Sequence, residues 1–296
     1  MERITLIAQP AGEYELLDSG GEEKLERYGS VVLARPDPQA LWEKRLDNSR
    51  WGLANGKYVR KGKEGEWITK DLPKEWPIMY GGLTFMIRPT SFKHTGLFPE
   101  QLPNWQWARE QIKGRLALNG VEGGRPVSVL NLFAYTGGAT LACAQAGAEV
   151  THVDASKTAV AWARENAALS GLADKPVRWI TDDVLVFLRR EIKRGVKYES
   201  IIMDPPAFGH GPKDELWKIE EHLLELMKLC IELLSDKPLF VTISGYAAGY
   251  SSVAFAYNLE SFIKKYGGGV EYGDLTIQES ASNRLLPCGI FARWSK

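Results

Sequence analysis

The chain has 296 residues, 44% hydrophobic and 25% charged, the proportions of a soluble globular protein long enough for one large domain and a smaller one. Lysine plus arginine and aspartate plus glutamate both number 37, which excludes a wholesale polyanion binder and confines any nucleic-acid contact to a local patch. Cys143, Cys230 and Cys288 form no CxxC pair, metal spacing or disulfide framework, and no run approaches about 18 uncharged apolar residues. With no apolar signal core after Met1, the expectation is a cytoplasmic protein without metal and without membrane contact. Oligomeric state is not legible.

Short strand-like runs at residues 4–8, 14–17, 31–34, 57–59 and 84–87 are separated by the turn signals Pro10-Ala11-Gly12, Asp18-Ser19-Gly20-Gly21, Pro36-Asp37-Pro38 and Asn55-Gly56. Six of the ten tryptophans (Trp42, Trp51, Trp67, Trp76, Trp105 and Trp107) precede residue 110, enough for an aromatic core of its own. The spacing predicts a helix over 104–118. The expected organisation is a β-rich domain over 1–95, a connecting segment over 96–124 and a second domain over 125–296.

From Val127 apolar strands alternate with helices. Strands are expected at 127–131, 149–153, 177–180, 200–203 and 239–244, and helices to about Ala146 and over 157–170, 187–193 and 216–234. This pattern makes right-handed βαβ units around a parallel sheet. The tail, 271–278 and 290–294, has two strands without a helix between them and predicts an antiparallel hairpin. The fold class is therefore α/β, a doubly wound, mostly parallel sheet with its last strand antiparallel, plus a smaller β-rich N-terminal domain.

Ligands of such sheets sit outside the carboxyl ends of the strands. The first informative end is Asn131-Leu132-Phe133-Ala134-Tyr135-Thr136-Gly137-Gly138, where glycine permits a tight turn and the following helix offers free N–H groups; a plain strand-to-helix turn is the alternative. The second is Asp154, an acceptor able to take both ribose hydroxyls or, alternatively, to cap the next helix. Of Asp182 and Asp183, one suits an adenine amino group and the other a helix cap. The third is Asp204-Pro205-Pro206-Ala207-Phe208: two prolines leave the carbonyls before them free as acceptors, and Phe208 can stack on a flat ring. A dinucleotide site is disfavoured because the adjacent glycines lack the G-x-G-x-x-G spacing.

These segments, with Val153-Asp154-Ala155-Ser156, Thr181-Asp182-Asp183-Val184 and His94-Thr95-Gly96-Leu97-Phe98-Pro99-Glu100-Gln101, resemble the class I S-adenosylmethionine-dependent methyltransferases allied to the large-subunit ribosomal-RNA cytosine-5 enzymes. The resemblance implies S-adenosylmethionine as cofactor. It assigns cofactor binding to Asn131, Phe133, Ala134, Tyr135, Thr136, Gly137, Asp154, Ala155, Ser156, Asp182, Asp183, Thr95 and Phe98. Asp204 and Phe208 are then the catalytic candidates, with Pro205 and Pro206 facing substrate. The chain departs from that group where a Ser-Cys-Ser-like segment would carry a nucleophilic cysteine: it has Ile243-Ser244-Gly245-Tyr246. Cys288 is the one substitute, and without it the covalent step of carbon methylation is lost.

Residues 44–63 contain Lys44, Arg45, Arg50, Lys57, Arg60, Lys61 and Lys63 against Asp47, with Trp51 and Tyr58 interleaved. Phosphate contacts from Lys57, Arg60 and Lys61 with stacking from the rings would suit a folded RNA; a solvated hairpin with core tryptophans explains the same residues. The expected function is methyl transfer to an RNA base, with a small-molecule or protein methyltransferase, or a cofactor-binding protein without activity, as alternatives.

Overall fold

The computed structural model describes residues 1–61, 64–118, 125–246 and 249–296, excluding the side chains of residues 61 and 64. The first elements are β1 (Glu2–Ala8), β2 (Tyr14–Gly20), β3 (Glu23–Tyr28), β4 (Val31–Pro36), α1 (Asn48–Trp51), β5 (Gly56–Lys61), β6 (Glu64–Thr69), β7 (Trp76–Tyr80) and β8 (Leu83–Ile87). Next come α2 (Leu102–Leu118), β9 (Ser128–Leu132), α3 (Gly138–Gln145), β10 (Glu149–Asp154), α4 (Lys157–Leu169), β11 (Val177–Thr181) and α5 (Val184–Lys193). The chain continues through β12 (Ser200–Met203), β13 (Phe208–His210), β14 (Leu216–Lys218), α6 (Ile219–Leu233) and β15 (Phe240–Gly245). It ends with α7 (Ser252–Asn258), α8 (Glu260–Tyr266), β16 (Gly269–Gln278) and β17 (Leu285–Ser295).

The chain forms two compact units that are not contiguous in sequence. One comprises Met1–Leu6, Pro103–Asp274 and Gly289–Lys296; the other comprises Ile7–Leu102 and Leu275–Cys288. The sequence had suggested consecutive blocks at 1–95, 96–124 and 125–296. Trp105 and Trp107, grouped above with the N-terminal aromatic core, lie on α2 in the larger unit.

The larger unit is built on a sheet of order β1-β16-β17-β15-β12-β9-β10-β11. β15, β12, β9, β10 and β11 are mutually parallel, and β17 runs antiparallel to β15. The doubly wound reading with an antiparallel last strand therefore holds. Alternation along each strand sends side chains to both faces. Leu130, Leu132, Ile201, Met203, Val241 and Ile243 pack with α5 and α6 residues such as Leu188, Leu226 and Cys230. Val129, Val150, Ile202 and Phe240 pack with Ala108, Ile112, Cys143 and Ala144 from α2 and α3. Both faces are covered, as a parallel sheet requires.

One expected helix is shorter than its sequence suggests. Residues 216–234 read as a single helix, but Leu216–Lys218 is a strand paired antiparallel with Phe208–His210; the helix begins at Ile219.

The smaller unit holds a five-stranded sheet of order β2-β3-β4-β5-β6 and the β7–β8 hairpin. Within it lies a buried ionic network. Glu26, fully buried, accepts two bonds from the Arg35 guanidinium at 2.7 and 2.8 Å and one from Tyr14 at 2.9 Å. Lys24 lies 3.2 Å from Asp37 and 3.8 Å from Glu26. Burial alone would raise the Glu26 carboxyl, but Arg35 and Lys24 hold it down to about 2. Among the described residues no cation pairs directly with Glu100, and burial pushes its carboxyl from 4.5 up to about 7 against the weaker pull of Lys24 and Arg35.

A raised folded pKa gives stability that is fully present below pH 4.5 and lost as pH rises through about 7. Glu100→Gln removes this loss, of order about 3 kcal/mol. The thermal midpoint of the variant is expected to gain on wild type progressively between pH 5 and pH 8. An equal offset at both ends of that range would show that the Glu100 pKa is not raised in the folded protein.

Candidate active site

Strand register places the informative loops at one end of the sheet. Leu132 pairs with Val153 and with Met203, Asp154 with Thr181, and Met203 with Ile243. β9 is the strand from which the order departs in both directions, and such a switch point leaves a crevice between the loops on either side.

The loop after β9 has an unusual backbone. Phe133, Tyr135 and Gly137 have φ of 54°, 47° and 90°; for the two aromatic residues this left-handed conformation costs about 1–3 kcal/mol each and persists only where neighbours over-determine it. Several bonds do so here. The Ala134 N–H donates to Val153 O at 3.1 Å and the Gly137 N–H to Ala134 O at 3.0 Å. The Tyr135 N–H donates to Asp154 Oδ2 at 2.8 Å. Asn166, buried in α4, donates its side-chain amide to Thr136 O at 3.0 Å. The Asn131 amide donates to Thr140 Oγ1 at 2.8 Å, and Thr140 lies 2.9 Å from Nδ1 of the fully buried His152. Gly138 is required by packing: a Cβ there would lie 2.2 Å from the Trp105 indole.

Asp154 is fixed on both oxygens, since Oδ1 accepts from Ser156 N at 2.8 Å, and burial raises its carboxyl above the usual range. Each oxygen keeps acceptor capacity for a hydroxyl. The helix-cap alternative is excluded for this residue: Ser156 caps α4, accepting from Ala159 N. Of the second acidic pair, Asp183 is the cap of α5, accepting from Val186 N at 2.9 Å. Asp182 pairs with Arg190 and accepts from Asp183 N at 3.0 Å, and so is the remaining strand-end acceptor.

On the other side of β9, the Asp204-Pro205-Pro206-Ala207 turn is held rather than open. Pro206 O accepts from Trp217 Nε1 at 2.7 Å and Ala207 O from Ile219 N at 3.0 Å. The free acceptors expected from the sequence are the carbonyls before the prolines, which are different groups from these two. Phe208 is 56% exposed, enough of its ring for a stacking partner, and meets His210 edge-on at 5.1 Å.

The other expected residues belong to the smaller unit. Thr95 is buried and its hydroxyl lies 3.3 Å from the Tyr28 hydroxyl; the Phe98 ring packs edge-on against His94 at 5.6 Å. In the basic stretch, Lys57 and Lys44 share Glu23 at 2.6 and 2.5 Å. The interleaved rings are not available for stacking. Trp51 is buried and donates to Asp18 at 2.9 Å, and Tyr58 is buried and donates to Ser91 O at 2.6 Å. They serve the core, as the solvated-hairpin alternative required. Arg60 is exposed; Lys63 and the Lys61 side chain lie outside the described residues.

Sequence reasoning missed Asn166, His152 and Trp217, whose partners lie 30, 12 and 11 residues away. Asn166 did carry a signal, because asparagine is a poor helix former and its place in the helix calls for a local reason.

Asp154→Asn should weaken binding of S-adenosylhomocysteine about 100-fold in calorimetry, since an amide cannot accept both backbone N–H groups and still receive hydroxyls. Asn166→Leu should weaken it about ten-fold, by removing the donor to Thr136. Retention of full affinity in both variants would separate this loop from cofactor binding.

The chain matches a family model of S-adenosylmethionine-dependent methyltransferases over residues 47–249. It is 33% identical over 156 residues to the ribosomal RNA large subunit methyltransferase K/L of Shewanella frigidimarina, covering 52% of this chain and 20% of that protein. With the protein of that name from Pseudomonas paraeruginosa it is 31% identical over 213 residues, covering 71% and 26%. The chain thus spans about a fifth to a quarter of these relatives' length. Among solved structures it is similar to a SAM-dependent methyltransferase from Agrobacterium tumefaciens, with a TM-score of 0.92 and 37% identity over 99% of this chain and 95% of that one. It shares its fold with SMU.776, a methyltransferase complexed with S-adenosylhomocysteine, at a TM-score of 0.67 and 20% identity over 96% and 76% of the two chains.

Proposed function

The chain belongs to the S-adenosylmethionine-dependent methyltransferase family, and from that premise we propose that it transfers the sulfonium methyl to a nitrogen of a base in RNA, with ribosomal RNA as the substrate class. S-adenosylmethionine is the cofactor. In this reading the 133–137 loop and Asn131 hold its methionine end, Asp154 accepts from the ribose and Asp182 from the adenine amino group. Ala155 and Ser156 line the ribose side. Asp204 orients the acceptor amino group, Phe208 stacks on its ring, and Pro205 and Pro206 shape the turn. The transfer breaks the methyl–sulfur bond, leaves a neutral thioether and forms the nitrogen–carbon bond; Asp204 takes the released proton. Catalysis on this scheme is alignment, because the leaving group is already activated by its positive charge.

The state of the thiols carries the choice of nitrogen. Desolvation, with a through-space contribution from Glu100, drives the partly buried Cys288 thiol away from ionisation, and that thiol donates to Leu286 O at 3.4 Å. Burial raises Cys143 to about 12 and raises Cys230 as well. A thiolate attack on a pyrimidine ring needs the opposite environment. RNA as acceptor is supported by the names of the curated relatives; ribosomal RNA would put the reaction in the cytoplasm. A basic protein segment is a second reading, favoured by Asp214, Glu215, Glu220 and Glu221 standing against only Lys213 and Lys218 in the segment after the acceptor turn.

Ribosomal RNA and total protein from cells lacking the gene should separate these readings when incubated with tritiated cofactor: label in RNA is expected. Cys288→Ser should leave the rate nearly unchanged, and Asp204→Ala should lower it by orders of magnitude with S-adenosylhomocysteine binding intact. Loss of activity in Cys288→Ser, with covalent trapping of a 5-fluorocytosine RNA, would overturn the nitrogen assignment.

For the basic stretch, the reading assigns phosphate contacts to Lys57, Arg60 and Lys61 without aromatic stacking. Reversing the three to Glu should reduce the slope of log affinity for that RNA against log salt by roughly one per lost contact. An unchanged slope would leave the stretch as a solvated face.

A further inference from the structure

Trp217 stands in β14, opposite Gly209 in the antiparallel pairing with β13. Strand alternation sends Phe208, His210 and Leu216 to one face of this hairpin, where all three are exposed, and Trp217 to the other, where it is buried. Its indole makes three contacts there. Nε1 donates to Pro206 O at 2.7 Å, the ring lies against the Phe133 ring at 4.8 Å, and it stacks on His222 at 5.5 Å. Pro206 belongs to the acceptor turn after β12, and Phe133 is the first left-handed residue of the loop after β9. One side chain therefore touches both loops whose relative position sets the reaction geometry.

We propose that Trp217 is a positioning residue that fixes the Asp204-Pro205-Pro206 turn against the cofactor loop, and so holds the acceptor in line with the methyl group. This rests on the reading of Asp204 and Phe208 as acceptor-binding. The two prolines remove N–H donors from the turn; the Asp204 N–H donates to Leu132 O at 3.4 Å, and beyond the prolines the turn is held through carbonyls accepting from elsewhere. Pro206 O and Ala207 O accept from the β14–α6 junction, and the second donor, Ile219 N, is backbone. Trp217 Nε1 is thus the side-chain donor that substitution can remove. The ring acts separately: it covers Phe133, whose strained backbone needs support from its surroundings. Misplacement of a reacting group by about 1 Å costs on the order of 100-fold in rate, which gives a single indole bond leverage over turnover without contact with either substrate.

Two substitutions separate the N–H from the ring. Trp217→Phe keeps an aromatic ring against Phe133 and deletes the bond to Pro206. Its affinity for S-adenosylhomocysteine should stay within about two-fold, and hydrogen–deuterium exchange of amides in 204–210 should quicken about ten-fold while 133–141 is unchanged. The kcat for methyl transfer to ribosomal RNA from cells lacking the gene should fall at least about ten-fold, with KM for the cofactor unchanged. Trp217→Leu should add a loss of S-adenosylhomocysteine affinity and faster exchange in 133–141. The proposal is overturned if Trp217→Phe leaves exchange in 204–210 at the wild-type rate, or if both variants alter both loops equally, as a plain core residue would. If the wild type labels no RNA, the acceptor reading fails on its own, and the exchange and calorimetric results still decide whether Trp217 clamps the turn.

Discussion

The bond from the Tyr135 N–H to the Asp154 carboxylate is the interaction on which the cofactor end of the sheet depends. A loop with left-handed residues at 133, 135 and 137 would relax if left to its own preferences, and each relaxed form would move the N–H groups that face the crevice. Asp154 prevents this because a carboxylate at the end of β10 can bind the backbone of the β9 loop and of its own continuation at once. The same two oxygens retain lone pairs for a ligand. In the proposed reading, a residue that recognises hydroxyls therefore also holds the loop beside it. Asn166 and the Asn131–Thr140–His152 chain act from underneath. Burial lowers the His152 pKa to about 3, which favours the neutral ring in this chain.

The two sides of β9 are built on different principles. The cofactor side relies on charged acceptors fixed by backbone N–H groups. The acceptor side relies on stiffness: two prolines, a short hairpin and an indole bond hold a turn whose exposed face carries Phe208. This division fits methyl transfer from a sulfonium, in which the protein supplies orientation rather than a nucleophile. The cysteines agree with it, since all three are driven away from the thiolate form.

Much of this architecture was legible because it is local. Strand-end acids, a glycine turn before an alanine-rich helix and the Asp-Pro-Pro triplet show themselves within a few residues, and the alternation of apolar strands with helices defines the parallel sheet. What escaped depends on distance in sequence or on charge in unexpected places. Glu23–Tyr28, with Glu, Lys, Glu and Arg among six residues, is absent from the strand-like runs of the sequence, yet it is a strand whose Glu26 is fully buried; the Arg35 guanidinium, with Tyr14 and Lys24, makes that burial tolerable. Residues 275–288 join the smaller unit through contacts such as Ser280 N to Leu16 O at 2.8 Å, a pairing no local pattern announces. Trp217 looked like the apolar face of a helix because a three-residue strand is too short to show its own period.

The segments that escaped sequence reasoning are also those that can set specificity. In the proposed reading the 133–137 loop and the strand-end acids answer to one small molecule, which narrows the residue types their chemistry allows. The hairpin from Phe208 to Lys218 meets no such demand on its outer face, where Phe208, His210 and Leu216 are exposed, while its inner face is tied to Pro206 and Phe133 through Trp217. An element anchored on one side and unconstrained on the other can change its outer residues without disturbing the alignment of the reacting groups. If Trp217 positions both loops as proposed, acceptor choice can vary along this hairpin while the methyl-donor geometry stays fixed, because both loops contact the same buried indole.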